Sequence, residues 1–471
     1  MNDLINALNN LVNGLLAALQ SAVNWFNGLF NIDPKLIHDC TANSSCSVAR
    51  AIVLSLILFF ILLTGFAYTT LLERRLLSFL QQRIGPNRAG PAGFLQPAAD
   101  GLKLIFKEDI TPIGADRVVY WLAPVLKTVP ALLVVAVIPL GPPLLIPWFD
   151  GQWYRVPLAI SDVNVGVLYI LAWMSLGTYG IVLAGWSSNN KYSMLGSLRA
   201  SAQMVSYELS MGLTMAVPIL ITGSMSLQAI IDAQNNPVVL GWFVFQNPIS
   251  AAILMIALLA EVNRAPFDLP EAESELTAGY HTEYSGMKFA LFFMAEYISM
   301  ISVSMIVIAL FFGGYHFALV DSVPILGPVV FTLKVILFLS GMIWVRATLP
   351  RIRYDRLMAL GWKVMLPLAL LAVAWSAVSL IVGDAFNSST LYWIISLVFF
   401  VVVTAAIFIL LRPQPGTELG GEVVNLQPRN PAYLLLQIVG ALVAVPMIMF
   451  TVSQNLLRNL EQALGGDNNA R

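Results

Sequence analysis

Two carboxylates of this chain stand where carboxylates are expensive. Glu208 lies about one turn into an apolar stretch at 204–223, and Glu296 lies eight residues past Lys288 inside another at 288–312. Glu73 and Glu261 mark the ends of two further apolar stretches. In a medium of low dielectric the charged form of a carboxylate is disfavoured, and several such groups close together titrate as a coupled set. A row of them can exchange protons near neutral pH, which is the chemistry of a proton path.

Three loops carry the remaining chemistry. Residues 260–285 read AEVNRAPFDLPEAESELTAGYHTEYS and hold Asp268, Glu271, Glu273, Glu275 and Glu283 beside a single base, Arg264. Taken alone this is a solvated acidic loop; the intramembrane Glu208 and Glu296 argue for a charge-transfer role instead. The basic run WVRATLPRIRYDR at 344–356 offers Arg346, Arg351, Arg353 and Arg356 as counter-ions, and structural ion pairs alone would account for part of this pattern. The third loop, 73–109, contains the turn sequence IGPNRAGPAG between Arg83 and the following segment. There Phe94, Leu95, Ala98, Leu102, Ile105 and Phe106 share one helical face. Such a helix lies along a membrane surface, and in isolation the loop reads as a basic interfacial anchor.

The elements that must position these groups follow from composition. Of 471 residues, 58% are hydrophobic and 11% charged, against roughly 25% charged in a soluble domain. Mean hydropathy is +0.78. Net charge is −1 and gives no reason to expect nucleic acid. The fold class is therefore all-α, a polytopic bundle of membrane helices. Apolar stretches of spanning length fall near 51–72, 118–140, 163–186, 204–223, 249–265, 288–312, 325–346 and 362–383, with two more at 391–411 and 432–452. The fifth is short. Leu4, Leu8, Leu11, Leu15, Leu19 and Val23 recur at helical spacing and predict an N-terminal amphipathic helix.

Lys and Arg set the orientation. The loops after the first, third, fifth and seventh spans hold Arg74, Arg75, Arg83, Arg88, Lys103, Lys107, Arg117, Lys191, Arg199, Arg264, Lys288 and the 346–363 cluster. The intervening loops hold only Arg155. The basic loops are then cytoplasmic and the N-terminus faces outward. On that side Cys40 and Cys46 admit either two free thiols or a small disulfide. Two Cys and three scattered His fall short of the ligands a metal or iron–sulfur centre needs, so no metal or redox centre is expected from this polypeptide alone.

Five stretches then become recognisable in order: ERRLLSFLQQRIGPNRAGPAGFLQPAADGLKL, GWSSNNKYSMLGSLRASAQMVSYE, NRAPFDLPEAESELTAGYHTEYS, KFALFFMAEY and WVRATLPRIRYDRLMALGWK. Together they resemble the membrane subunit at the heel of respiratory complex I, the H subunit of proton-translocating NADH:quinone oxidoreductase. The resemblance covers roughly 50–383, an eight-span core. Residues 1–49 form an N-terminal extension, and 384–471 a C-terminal one with one or two additional apolar segments.

The resemblance implies a subunit that is not catalytic alone and binds no cofactor of its own. Quinone is the substrate, and FMN and iron–sulfur clusters sit in partner subunits. The implied partners are the quinone-site and iron–sulfur subunits of the peripheral arm, small membrane subunits and antiporter-like subunits, in a bacterial plasma (inner) membrane. Carried onto this chain, Glu73, Arg74, Arg83 and Arg88 border the quinone entrance. Arg264, Phe267 and Asp268, with Glu271, Glu273, Glu275 and Glu283, form the loop beneath the quinone chamber. Glu208, Glu261 and Glu296 begin the carboxylate path. Two alternatives stand beside this reading: the equivalent subunit of a ferredoxin-, F420- or hydrogenase-linked complex, and a stand-alone ion-coupled carrier.

Overall fold

The structure is a computed structural model and describes residues 37–39, 45–147, 153–235, 241–269, 277–317, 320, 323–386, 395 and 398. The N-terminal amphipathic segment, the segment at 432–452 and nearly all of 391–411 lie outside the described residues. So do Cys40, the Cys46 side chain and Glu271, Glu273 and Glu275.

A short strand, β1 (Ile37–Asp39), precedes α1 (Ser45–Leu80), a helix of 36 residues. At 1.5 Å per residue α1 is about 54 Å long, well beyond a hydrocarbon core of about 30 Å. A turn at Pro91–Gly93 leads to α2 (Gln96–Ile105) and then α3 (Arg117–Val134). Asp116 opens α3 by accepting a hydrogen bond from the Val118 N–H, which satisfies one of its orphan donors. Strands β2 (Leu144–Pro147) and β3 (Trp153–Val156) follow. β2 pairs antiparallel with β3, and β1 joins β3 in parallel, Ile37 opposite Trp153. This three-stranded sheet holds all the strands among the described residues.

Helices α4 (Gly166–Ser187) and α5 (Lys191–Thr222) form the next hairpin. Asn190 caps α5 through the Tyr192 N–H, and Gly223 ends it in the left-handed region at φ 68°. Short helices α6 (Leu227–Ala233) and α7 (Phe243–Gln246) lead into α8 (Pro248–Glu261). Then come α9 (Gly286–Phe311), α10 (Gly327–Thr348) and α11 (Tyr354–Leu360), and α11 runs through a π-helical turn at Gly361–Met365 into α12 (Leu366–Ala385).

Among the described residues seven helical segments are long and apolar enough to cross a membrane, with Pro248–Glu261 as a shorter apolar helix. Seven of the eight apolar stretches expected between 51 and 383 are thus of spanning length among the described residues, and the fifth, at 249–265, forms the shorter helix. Helix α9 is the axis of the bundle: the apolar window that qualifies it is 78% buried, against 11% for that of α1. One face of α1, including Ile52, Leu56, Phe60 and Leu63, is exposed, as a lipid-facing helix requires.

The fourth span departs from expectation in a way that matters. Helix α5 starts at Lys191, not near 204, so Lys191 and Arg199 belong to the helix and Glu208 sits near its middle. The polar run between Lys191 and Ser206 hides this first half, since hydropathy alone does not read a polar but buried helix as a span. Ser193, Ser197, Gln203 and Ser206 are buried against other elements of this chain.

Candidate functional site

The site is built from the bodies of α1 and α9 together with the ends of α8 and α10. Helix α8 stops at Glu261, and Asn263 takes a left-handed conformation (φ 57°) that turns the chain back into the protein; Asn adopts this region more readily than most residues. Gln203 on α5 holds the turn. Its amide donates to the Ala260 carbonyl (2.8 Å), the Phe267 carbonyl (2.9 Å) and Asn263 Oδ1 (3.1 Å). Phe267 is fully buried against Tyr207, their ring centroids 5.6 Å apart. Ile352 donates to the Pro266 carbonyl at 3.1 Å and ties the loop after α10 to the same turn.

This folding delivers Arg264 into a buried ion-pair network. Its Nε lies 2.5 Å from Glu296 Oε1 and its Nη1 3.2 Å from Glu73 Oε1, with all three side chains at most 10% exposed. Tyr297 donates from its hydroxyl to Glu73 Oε2 (2.6 Å), and the guanidinium lies 4.5 Å from the centre of the Tyr297 ring. Arg346, in the last turn of α10, donates to Glu73 Oε1 as well. Two arginines thus face two carboxylates, so the buried charge balances when all four are ionised. An arginine in a protein does not give up its proton, so it is the carboxylates that can change state here.

Behind this network lies a second set. Glu261 is buried, and Glu208 and the amine of Lys127, from α3, are each in electrostatic reach of it. Lys127 is in reach of Glu296 also. The Ser175 hydroxyl on α4 donates to Glu208. The ionisable groups therefore run in order from Glu73 through Arg264 and Glu296 to Lys127, Glu261 and Glu208, contributed by α1, the turn after α8, α9, α3, α8 and α5.

A family model described as NADH dehydrogenase matches residues 53–377 of this chain, which include every residue of both sets. The chain belongs to this family. It is 51% identical over 308 residues to the NADH-quinone oxidoreductase H subunit of Protochlamydia amoebophila, a match covering 65% of this chain and 90% of that protein. The H subunit of Thermomicrobium roseum is 50% identical over 319 residues, covering 66% and 91%. An H subunit of Geobacter sulfurreducens is 48% identical over 318 residues, covering 67% and 92%. The part of the chain that carries the ion pairs is the part shared with the family.

Of the residues expected to border a quinone, Glu73, Arg264 and Phe267 come together at the buried turn, and Asp268 is half-buried next to them. Arg74 points the other way and binds Asp100 of α2 at 2.6 Å. Arg83 and Arg88 are exposed at the turn before α2. Of the four arginines between 344 and 356, Arg346 alone reaches a buried carboxylate; Arg351 and Arg356 are exposed, and Arg353 pairs with Asp355 at the surface. Glu283 stands apart from the network. Its Oε1 accepts from the Asn190 side chain at 2.6 Å and its carbonyl from the Tyr120 hydroxyl at 2.6 Å, so it joins the start of α5 to α3.

Lys127 and Tyr297 are the members that sequence reasoning missed. Lys127 lies within the predicted span 118–140, and a tally of loop cations passes over it. A lone cation inside an apolar span was itself the available signal.

Proposed function

We propose that this chain, as a multi-pass membrane subunit of an NADH:quinone oxidoreductase, forms the membrane-side part of the quinone chamber and couples quinone reduction to proton translocation through buried carboxylates. The observation that carries the reading is Arg264, shared between Glu73 and Glu296 in a buried site and continued by Glu261 and Glu208. Balanced ion pairs in a low dielectric respond strongly to a charge arriving nearby, because little solvent screens it.

Electrons reach the quinone from FMN and iron–sulfur clusters of partner subunits; this chain supplies no redox centre. Reduction of a quinone to the quinol consumes two electrons and two protons, and between the two the headgroup is anionic. Negative charge at the Glu73 end weakens the hold of Arg264 on Glu73 relative to Glu296. A carboxylate so released favours its protonated form, and the change passes along Glu296, Glu261 and Glu208. Asp268, half-buried next to Arg264, flanks the headgroup side of this path, and Glu271, Glu273 and Glu275 follow it in the sequence of the same loop. Helix α2, with Leu102 and Ile105 exposed and Phe94, Leu95 and Phe106 exposed at its two ends, lies on the membrane surface at the mouth through which the isoprenoid tail enters, with Arg74, Arg83 and Arg88 beside it. The motif-bearing loops face the cytoplasm of a bacterial inner membrane, and residues 1–49 and 384–471 are extensions on the 50–383 core.

Glu208→Gln and Glu296→Gln, made in the intact complex and assayed in inverted membrane vesicles, test this reading. Both should lower NADH:quinone turnover and proton uptake about tenfold or more while leaving complex assembly intact. Unchanged turnover with unchanged proton uptake would remove both residues from the path.

A further inference from the structure

The carboxylate path explains neither why a lysine stands within α3 nor why α4 makes room for it. Lys127 lines a partly open cavity of about 30 Å³ together with Glu261, Trp173, Met174, Ser299 and Ser302. A cavity of that size holds one or two water molecules when polar groups are there to bind them. Here the polar groups are the Lys127 amine, the Ser299 and Ser302 hydroxyls and Glu261. Among the described residues Glu261 Oε2 is a buried oxygen with no hydrogen-bond partner from the protein, which is a costly state unless water or a cation answers it.

Helix α4 is shaped to the lysine. A Cβ on Gly180 would lie 2.7 Å from the Lys127 backbone nitrogen, closer than packed atoms come, so only glycine lets the two helices meet at this level. One turn earlier, a Cβ on Gly177 would sit at ordinary contact distance, 3.9 Å, from Lys127 Nζ, which places the ammonium against α4 at this level. The carboxylates in reach of that ammonium come from two other helices, Glu261 of α8 and Glu296 of α9.

We infer that Lys127 is the internal counter-ion of the carboxylate path, its ammonium linked to Glu261 through the water of the cavity they share and within electrostatic reach of Glu296, so that Glu261 can stay ionised within the membrane. Without it Glu296 would still have Arg264, whereas Glu261 would face Glu208 with no cation. Lys127 touches no substrate; it is a positioning residue, and the inference rests on the proton-path reading above.

The test uses the whole complex with Lys127→Met, Lys127→Arg and Glu261→Gln, reading turnover, proton uptake and the pH–rate profile in vesicles. Lys127→Met should assemble, lose about tenfold in turnover, and move the acid limb of the profile to higher pH by one unit or more, since a carboxylate deprived of a neighbouring cation keeps its proton to higher pH. Lys127→Arg keeps the charge and should retain at least half of the turnover with an unmoved profile. If Lys127→Met does not assemble, the Lys127→Arg profile decides alone: a shift of a unit or more overturns the inference. Normal rate and profile for Lys127→Met beside an impaired Glu261→Gln would likewise overturn it and leave the path standing. If Glu261→Gln is also unaffected, the path reading itself fails at that residue.

Discussion

Arg264 is held by two carboxylates and an aromatic face at once, and removing it would leave Glu73 with Arg346 and strip Glu296 of its direct ion pair, with only the electrostatic reach of Lys127 in its place. Breaking a buried ion pair from one side costs about 3–5 kcal/mol, far more than the pair contributes over an apolar replacement. Arg264→Met should therefore lower the midpoint of thermal inactivation of the purified complex, and Arg264→Lys should recover only part of the loss, because a point charge cannot span both carboxylates as the guanidinium does. An unchanged midpoint for Arg264→Met would mean that Arg346 and Lys127 carry the balance without it. At this scale the sequence was a fair guide to the acids and a poor one to their partners. Glu208, Glu261 and Glu296 are visible because a carboxylate in an apolar run is anomalous by itself. That Arg264 binds Glu73, 191 positions away, depends on a turn at Asn263 and on a Gln203 clamp, and neither leaves a periodic trace.

At the scale of elements, the helix bounds express what each helix does. Helix α8 has 14 residues, about 21 Å, too short to cross, and its early end places Glu261 and Arg264 inside the protein. Helix α5 is long because one face of its first half, with Ser193, Ser197, Gln203 and Ser206, is polar yet buried against the chain itself, which is why hydropathy missed it, whereas α2 was legible from its single apolar face. The opposite end of the bundle is fixed differently. The Lys334 ammonium of α10 donates to the carbonyls of Phe312, Gly314 and His316 at 2.8–3.0 Å, closing the end of α9 where free carbonyls accumulate.

Nearby on α6, burial pushes the Asp232 carboxyl upward, but hydrogen bonds from His316, Gln228 and Tyr315 outweigh it and hold the group below the usual carboxylate range. A group depressed in this way adds stability above its unfolded value, about 3.9, and loses it as pH falls through the lower folded value. The Asp232 side chain is 54% exposed, so solvent limits the contribution to about 0.5 kcal/mol. Asp232→Asn should lower thermal stability slightly and equally from pH 7 to pH 5, the gap closing only toward pH 3. A gap that closes between pH 7 and pH 5 would contradict this.

At the scale of the whole molecule, the protein is a bundle in which one helix, α9, is enclosed and the others surround it. The titratable groups the path requires sit in or against that enclosed centre, while the outer faces of α1, α2 and α12 stay apolar and exposed. The overall class followed from composition and run length, because apolar stretches of about 20 residues satisfy their backbone in lipid as helices, whereas barrel strands are about half as long. The continuous order Glu73, Arg264, Glu296, Lys127, Glu261, Glu208 was not legible, since it alternates among six elements far apart in sequence. The central claim is that reducing the quinone changes the protonation of these carboxylates. Redox-difference infrared spectroscopy on the purified complex measures this directly, by comparing the parent with Glu261→Gln and Glu208→Gln in the carboxyl-stretch region. The account predicts a carboxyl band that appears with quinone reduction in the parent and is lost or displaced in each variant. Difference spectra identical in all three would show that the path does not change protonation when the quinone is reduced, and would contradict the account.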